Sequence, residues 1–193
     1  MGKYFDIYLV GVGGQGILTI ADIITLAAVK ENIPVNYYPT KGMAQRGGFV
    51  KAQLRLGRKP EDFGPSIPVG GADMVVSMEI NETFKAIKYA KNGADYVVYG
   101  HRWEPAAVML GKAPYPTLAM LSDEIKKADS EMIYIPEEKI GGFRANIVIL
   151  GTMFAKTKLG ERFAKKDLED VIINRWPKAA EKNLAAFHAG LEG

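Results

Sequence analysis

The chain has no cysteine, and that absence removes several functions at once. Disulfides, thiolate nucleophiles, Cys-ligated zinc and protein-held iron–sulfur clusters all require the missing thiol. Histidine is almost as scarce. His101 and His188 stand far apart, so a histidine-rich metal centre is not expected. No apolar run reaches the roughly 18 residues of a membrane span, and the N-terminus lacks the apolar core and cleavage site of a signal peptide. A cytoplasmic setting without membrane contact is therefore expected. Lys and Arg number 25 against 22 Asp and Glu, a net charge of +3 without a dense basic block. Nucleic acid is not an expected partner on that balance. What is present is 193 residues, 48% hydrophobic and 24% charged, enough for one sizeable core.

The periodicity alternates between strand and helix. Phe5–Val10 reads as a strand covered on both faces, and Ile17–Lys30 as a helix apolar on more than one side. Val35–Tyr38 predicts a second strand, with Pro39 near its end. Phe49–Leu56 alternates cleanly: Val50, Ala52, Leu54 and Leu56 face one way, and Lys51, Gln53 and Arg55 face a side expected to be wet or subunit-facing. The proline- and glycine-rich stretch 57–71 denies itself regular structure, and its length argues for a task rather than idle linkage. Further strands are predicted at 73–79, 96–100 and 132–136, the last at an edge. Helices are predicted over 81–90, capped by Asn81 and stopped by Lys91–Asn92–Gly93, and over 122–128. From Arg144 onward the pattern is helical, with Pro177 interrupting it. The expected fold is α/β: a Rossmann-like doubly wound sheet over 1–140 with C-terminal helices over 141–193, together one domain of 1–193.

The first strand runs into "VGVGGQGI", Val10 to Ile17. Glycines at 11, 13 and 16 match the spacing of a dinucleotide fingerprint. They permit a tight turn, let backbone N–H groups approach a ligand, and present a helix N-terminus suited to phosphate or carboxylate. A nicotinamide site also wants an acidic residue ending the second strand, to hold the ribose hydroxyls. No Asp or Glu lies between Asn36 and Gly57, which argues against a nicotinamide dehydrogenase. Lys41 and Arg46 stand where a 2′-phosphate would otherwise be met, but on an unusual loop. The same missing acid, with the missing cysteines, argues against an ATP-dependent adenylating enzyme. A stand-alone module binding a nucleotide or coenzyme A stays open.

The second glycine loop, "KGMAQRGG" at 41–48, narrows the choice. With "GVGGQGI", "SIPVGGADMVVSME" (66–79), "ANIVILG" (145–151) and the closing "NLAAFHAGL", it resembles the gamma-type component of 2-oxoacid:ferredoxin oxidoreductases. Within that family the likeness is greatest to the beta subunit of the indolepyruvate branch, and it covers nearly the whole chain. The resemblance implies oxidative decarboxylation of a 2-oxoacid, indolepyruvate or another aryl-pyruvate, to an acyl-CoA. It places thiamine diphosphate and the iron–sulfur clusters on a larger partner subunit and coenzyme A at a shared site. Ferredoxin takes the electrons, and this chain is not catalytic alone.

Carried onto this sequence, the resemblance nominates Gly11, Gly13, Gly14, Gln15 and Gly16 in the first loop for cofactor contact. In the second loop it nominates Met43, Ala44, Gln45, Arg46, Gly47 and Gly48. Gln15 offers an amide to a ligand or partner chain. Arg46 carries a guanidinium able to fork onto phosphate or carboxylate, or onto a partner's acid. Behind these stand Glu79, at the end of the fourth strand, and Asn146, a polar residue opening an apolar helix. No catalytic residue and no metal ligand is assigned. His101 follows a strand's carboxyl end but is not expected to have a carboxylate partner, and His188 reads as a surface or packing residue. Tyr37, Tyr38 and Trp103 are expected at a partner interface rather than on substrate.

Overall fold

The computed structural model describes residues 4–41 and 47–193. Six strands form one sheet: β1 (Phe5–Val12), β2 (Val35–Lys41), β3 (Phe49–Leu56), β4 (Ala72–Ser77), β5 (Ala90–Tyr99) and β6 (Glu131–Ile135). Their order across the sheet is β2-β3-β1-β4-β5-β6. β4, β5 and β6 run parallel to β1. β3 is antiparallel to both its neighbours, with Phe5 opposite Leu56 and Val12 opposite Phe49. In a dinucleotide fold a parallel second strand occupies that place beside the first. Here the β2–β3 pair pushes β2 to the edge, where Pro39 costs no interior ladder bond.

The helices cover both faces. On one, α1 (Ile17–Lys30), α5 (Ala145–Lys156), α6 (Lys165–Arg175) and α7 (Ala180–Glu192) pack on Ile7, Leu9, Leu54, Met74 and Val97. On the other, α2 (Ile80–Ala86) and α4 (Leu118–Lys126) pack on Tyr8, Val10, Val75, Tyr96 and Val98. The one-turn helix α3 (Ala106–Met109) lies between β5 and α4. Successive strand residues therefore serve opposite cores, as pleating requires. In α1 Ile17, Ile20, Ala21, Ile23, Ile24, Ala27 and Ala28 are buried, whereas Leu26 and Val29 turn to solvent.

Three expectations change. The polar side of β3 is not wet: Gln53 and Arg55 are buried beneath the irregular segment 57–71. Gln53 Oε1 accepts the Ile67 N–H at 2.6 Å, and Arg55 donates to the carbonyls of Gly64 and Ser66. Asp6 answers the charge, bound by both Arg55 and Arg58. Second, α2 is capped by Glu79 and not by Asn81. Third, the chain leaves α2 after Ala86 through a short turn and enters β5 at Ala90. Lys91, Asn92 and Gly93 thus belong to a strand rather than to a helix stop. β5 pairs with β4 at Ala90 and again from Asp95, and these three residues lie in the irregularity between, where Gly93 turns with φ of 70°.

Candidate functional site

The carboxyl ends of β1, β4 and β5 meet at one edge of the sheet, where open α/β folds bind ligands. β1 turns into α1 through Gly13–Gly16, and Gly16 caps the helix with φ of 84°, a left-handed conformation that suits glycine. A Cβ at Gly16 would also run into the Asn146 amide, which reaches toward the Gly16 carbonyl from the start of α5. Gln15 folds back into the protein. Its Oε1 accepts the Val12 N–H at 2.7 Å and its Nε2 donates to the Met78 carbonyl at 2.9 Å, tying the ends of β1 and β4 together. Gly11 sits beneath that amide, 2.8 Å from it at the position of a Cβ. Gly14 is exposed, and among the described residues nothing approaches where its side chain would stand. α1 has neither a side-chain cap nor an acidic residue in its first turn.

The two glycine loops touch. Gly13 donates its N–H to the Gly48 carbonyl at 2.8 Å. Gly47 lies under the Trp103 ring, whose Cζ2 would stand 3.0 Å from a Cβ placed there. Trp103 comes from the segment between β5 and α4, and that segment is held by Glu79. The Glu79 side chain is fully buried. Its Oε2 accepts the Glu82 N–H at 2.7 Å, and its Oε1 accepts the Trp103 N–H at 3.0 Å and the Tyr115 hydroxyl. Burial first, and the Glu79 carboxylate second, push the Tyr115 hydroxyl well above the usual tyrosine range, so it stays a donor. Burial also raises the Glu82 carboxyl, against the pull of Lys85. Tyr115 falls in a stretch, 101–121, whose periodicity points to no element. Only the three-dimensional meeting with Glu79 brings it out.

The pyruvate ferredoxin/flavodoxin oxidoreductase family profile matches residues 6–193. The chain belongs to that family. Indolepyruvate oxidoreductase subunit IorB of Thermococcus kodakarensis is 33% identical over 208 residues, spanning 98% of this chain and 96% of its own. The fold resembles the gamma subunit of the keto/oxoacid ferredoxin oxidoreductase of Geobacter sulfurreducens. The TM-score is 0.63 at 22% identity, over 97% of this chain and 96% of the other. It also matches 31% of the length of 2-oxoglutarate:ferredoxin oxidoreductase from Magnetococcus marinus, a structure with 2-oxoglutarate, coenzyme A and succinyl-CoA bound. There the TM-score is 0.66 at 19% identity, over 98% of this chain.

In this family member, Met43, Ala44, Gln45 and Arg46 lie outside the described residues. His101 does have a carboxylate: Nδ1 stands 2.6 Å from Glu137 Oε1, a partner 36 positions away in sequence. Tyr99 leans on the same acid, and burial followed by Glu137 raises its hydroxyl. His188 pairs with Glu169 at the surface. Tyr37 is partly buried and shares its hydroxyl with Asp22, whereas Tyr38 and Trp103 are exposed, Trp103 by 48%. Among the described residues no group of three or more His, Asp or Glu side chains stands as a metal set, and no helix is long and apolar enough to cross a membrane.

Proposed function

We propose that this chain is the gamma-type subunit of a thiamine-diphosphate-dependent 2-oxoacid:ferredoxin oxidoreductase acting on indolepyruvate or a related aryl-pyruvate in the cytoplasm. The observation that carries the reading is the pairing of the two glycine loops at the sheet edge, Gly13 N–H to Gly48 O, within a chain of this family. Thiamine diphosphate and iron–sulfur clusters on a larger partner subunit supply decarboxylation and electron transfer, with ferredoxin as the acceptor. A chain without cysteine holds no such cluster itself.

This chain's own part is to close a coenzyme A pocket shared with that partner. Gly14 leaves room for a ligand over the turn, and the uncapped start of α1 offers N–H donors and a positive dipole end to phosphate. Arg46 of the second loop supplies a fork for the same anion. Residues 1–193 act as one unit in this role, which is to bind, orient and exclude water.

The test is co-expression with the larger subunit. The two chains are expected to co-purify, and oxidation of aryl-pyruvates is expected to require both chains and coenzyme A. Arg46→Ala is expected to raise the KM for coenzyme A or weaken assembly. Full activity without this chain would overturn the reading. So would tight binding of a nicotinamide, or of coenzyme A, by the isolated chain in calorimetry.

A further inference from the structure

We infer that Glu79 is a positioning residue: its buried carboxylate, with Tyr115, sets the 101–117 segment so that Trp103 covers the second glycine loop at Gly47. The functional consequence rests on the reading above, whereas the positioning itself stands on geometry.

A helix cap alone does not account for this side chain. One oxygen of Asp, Ser or Thr satisfies the first turn of a helix, and Glu79 spends Oε2 on that duty at Glu82. Burying a whole carboxylate is costly unless each oxygen is matched by donors. The other oxygen is matched by Trp103 near the start of the segment and Tyr115 near its end. Between those clamped points lie the exposed Met109 and Leu110. The Ile80 N–H, bonded to the His101 carbonyl, adds a third tie between the start of α2 and this segment. The Arg102 guanidinium lies 4.4 Å from the Tyr115 ring centre and covers the clamp. Trp103 then rests on Gly47, and Gly48 holds Gly13. The contacts run without a break from the end of β4 to both glycine loops. A change at Glu79 must therefore reach the ligand-facing edge through Trp103.

Two variants of the full chain separate positioning from capping. Glu79→Asp keeps a good cap for α2 but is one methylene too short to reach Trp103 and Tyr115 as well. Tyr115→Phe removes one donor and leaves the cap intact. In both, hydrogen exchange at amides of 101–117 and at Gly47 and Gly48 is expected to quicken about tenfold or more, the factor for losing one hydrogen bond to a charged group. Exchange in α2 and the central strands is expected to hold, and Trp103 emission to shift toward that of a wetter indole. Unchanged exchange and emission in both variants would reduce Glu79 to a cap and overturn the inference, as would loosening confined to α2.

In the assembled complex the same variants are expected to raise the KM for coenzyme A several-fold while kcat holds. Altered exchange with an unchanged KM in an active complex would overturn the functional half alone. Wild-type chain proving dispensable for activity would instead sink the proposed function and leave the exchange result standing.

Discussion

At the scale of single residues the sheet edge is assembled from contacts between positions far apart in sequence, 24 for Glu79 and Trp103 and 130 for Gly16 and Asn146. Gly16 shows how tight they are. Its φ of 84° and the Asn146 amide beside its missing side chain both disfavour any other residue. Gly16→Ala is expected to lower stability by about 1–3 kcal/mol, the range for a strained backbone or an overpacked contact. Adding Asn146→Ala should relieve the collision and leave the backbone strain, so the double variant is expected to recover part of the loss in urea denaturation. The glycine spacing marks this turn in the sequence, and the polar Asn146 stands out in its apolar helix. The Glu79–Tyr115–Trp103 cluster gives no such sign. It joins the residue that caps α2 to two positions of the connection between β5 and α4, where no periodicity marks them, and a Glu closing a buried strand looks the same whether it faces ligand or holds a loop.

At the scale of elements, charge fixes how segments are strapped to the sheet. Asp6 is buried under two guanidinium groups, with Arg55 Nε 3.2 Å and Arg58 Nε 3.0 Å from Oδ1. Arg58 also lies 4.3 Å above the Tyr4 ring and 4.9 Å from that of Phe63. Asp6→Asn leaves both cations uncompensated and is expected to cost about 3–5 kcal/mol in urea denaturation, releasing the 57–71 segment first. The alternation of β3 is legible in the sequence, but its environment is not. Period two shows that Gln53 and Arg55 share a face, and only the folded chain shows that a proline-rich cover satisfies them.

The seam between α1 and α6 responds to pH. Lys30 reaches Asp167 at 2.8 Å and Asp170 at 2.7 Å. Its hydrogen bond is the main reason that the Asp167 carboxyl lies below the usual carboxylate range. A depressed folded pKa means stability that is complete above the unfolded value and lost as pH falls through the folded one. The Tm deficit of Lys30→Met against the wild-type chain is therefore expected at neutral pH and to shrink below the ordinary carboxylate range. Thermal melts followed by circular dichroism across that interval check the sign.

At the scale of the whole molecule, the burial of one sheet face depends on how closely two late helices approach. The sequence announces α5 as apolar all round and gives α7 one apolar stripe, so both are legible as core helices. Their mutual distance is not, because it is set by two glycines that resemble ordinary helix weak points. Gly190 stands against the Val148 carbonyl and, at 2.9 Å from a Cβ there, the Thr152 amide. Gly151 stands against the Phe187 carbonyl in the same crossing. Thr152 completes the seam by donating its hydroxyl to the Gly190 carbonyl at 3.1 Å. Intrinsic propensity favours alanine over glycine in a helix by about 1 kcal/mol, so an alanine at an open position would stabilise. Here a methyl meets backbone, which cannot rotate away, and α7 must move off α5. Gly190→Ala and Gly151→Ala are each expected to destabilise by about 1–3 kcal/mol despite the propensity gain. Because one separation of the helices relieves both collisions, the double variant is expected to cost less than the sum of the two. Additive losses in urea denaturation would mean that each methyl is absorbed locally and that the helix pair is not the rigid cover of this core.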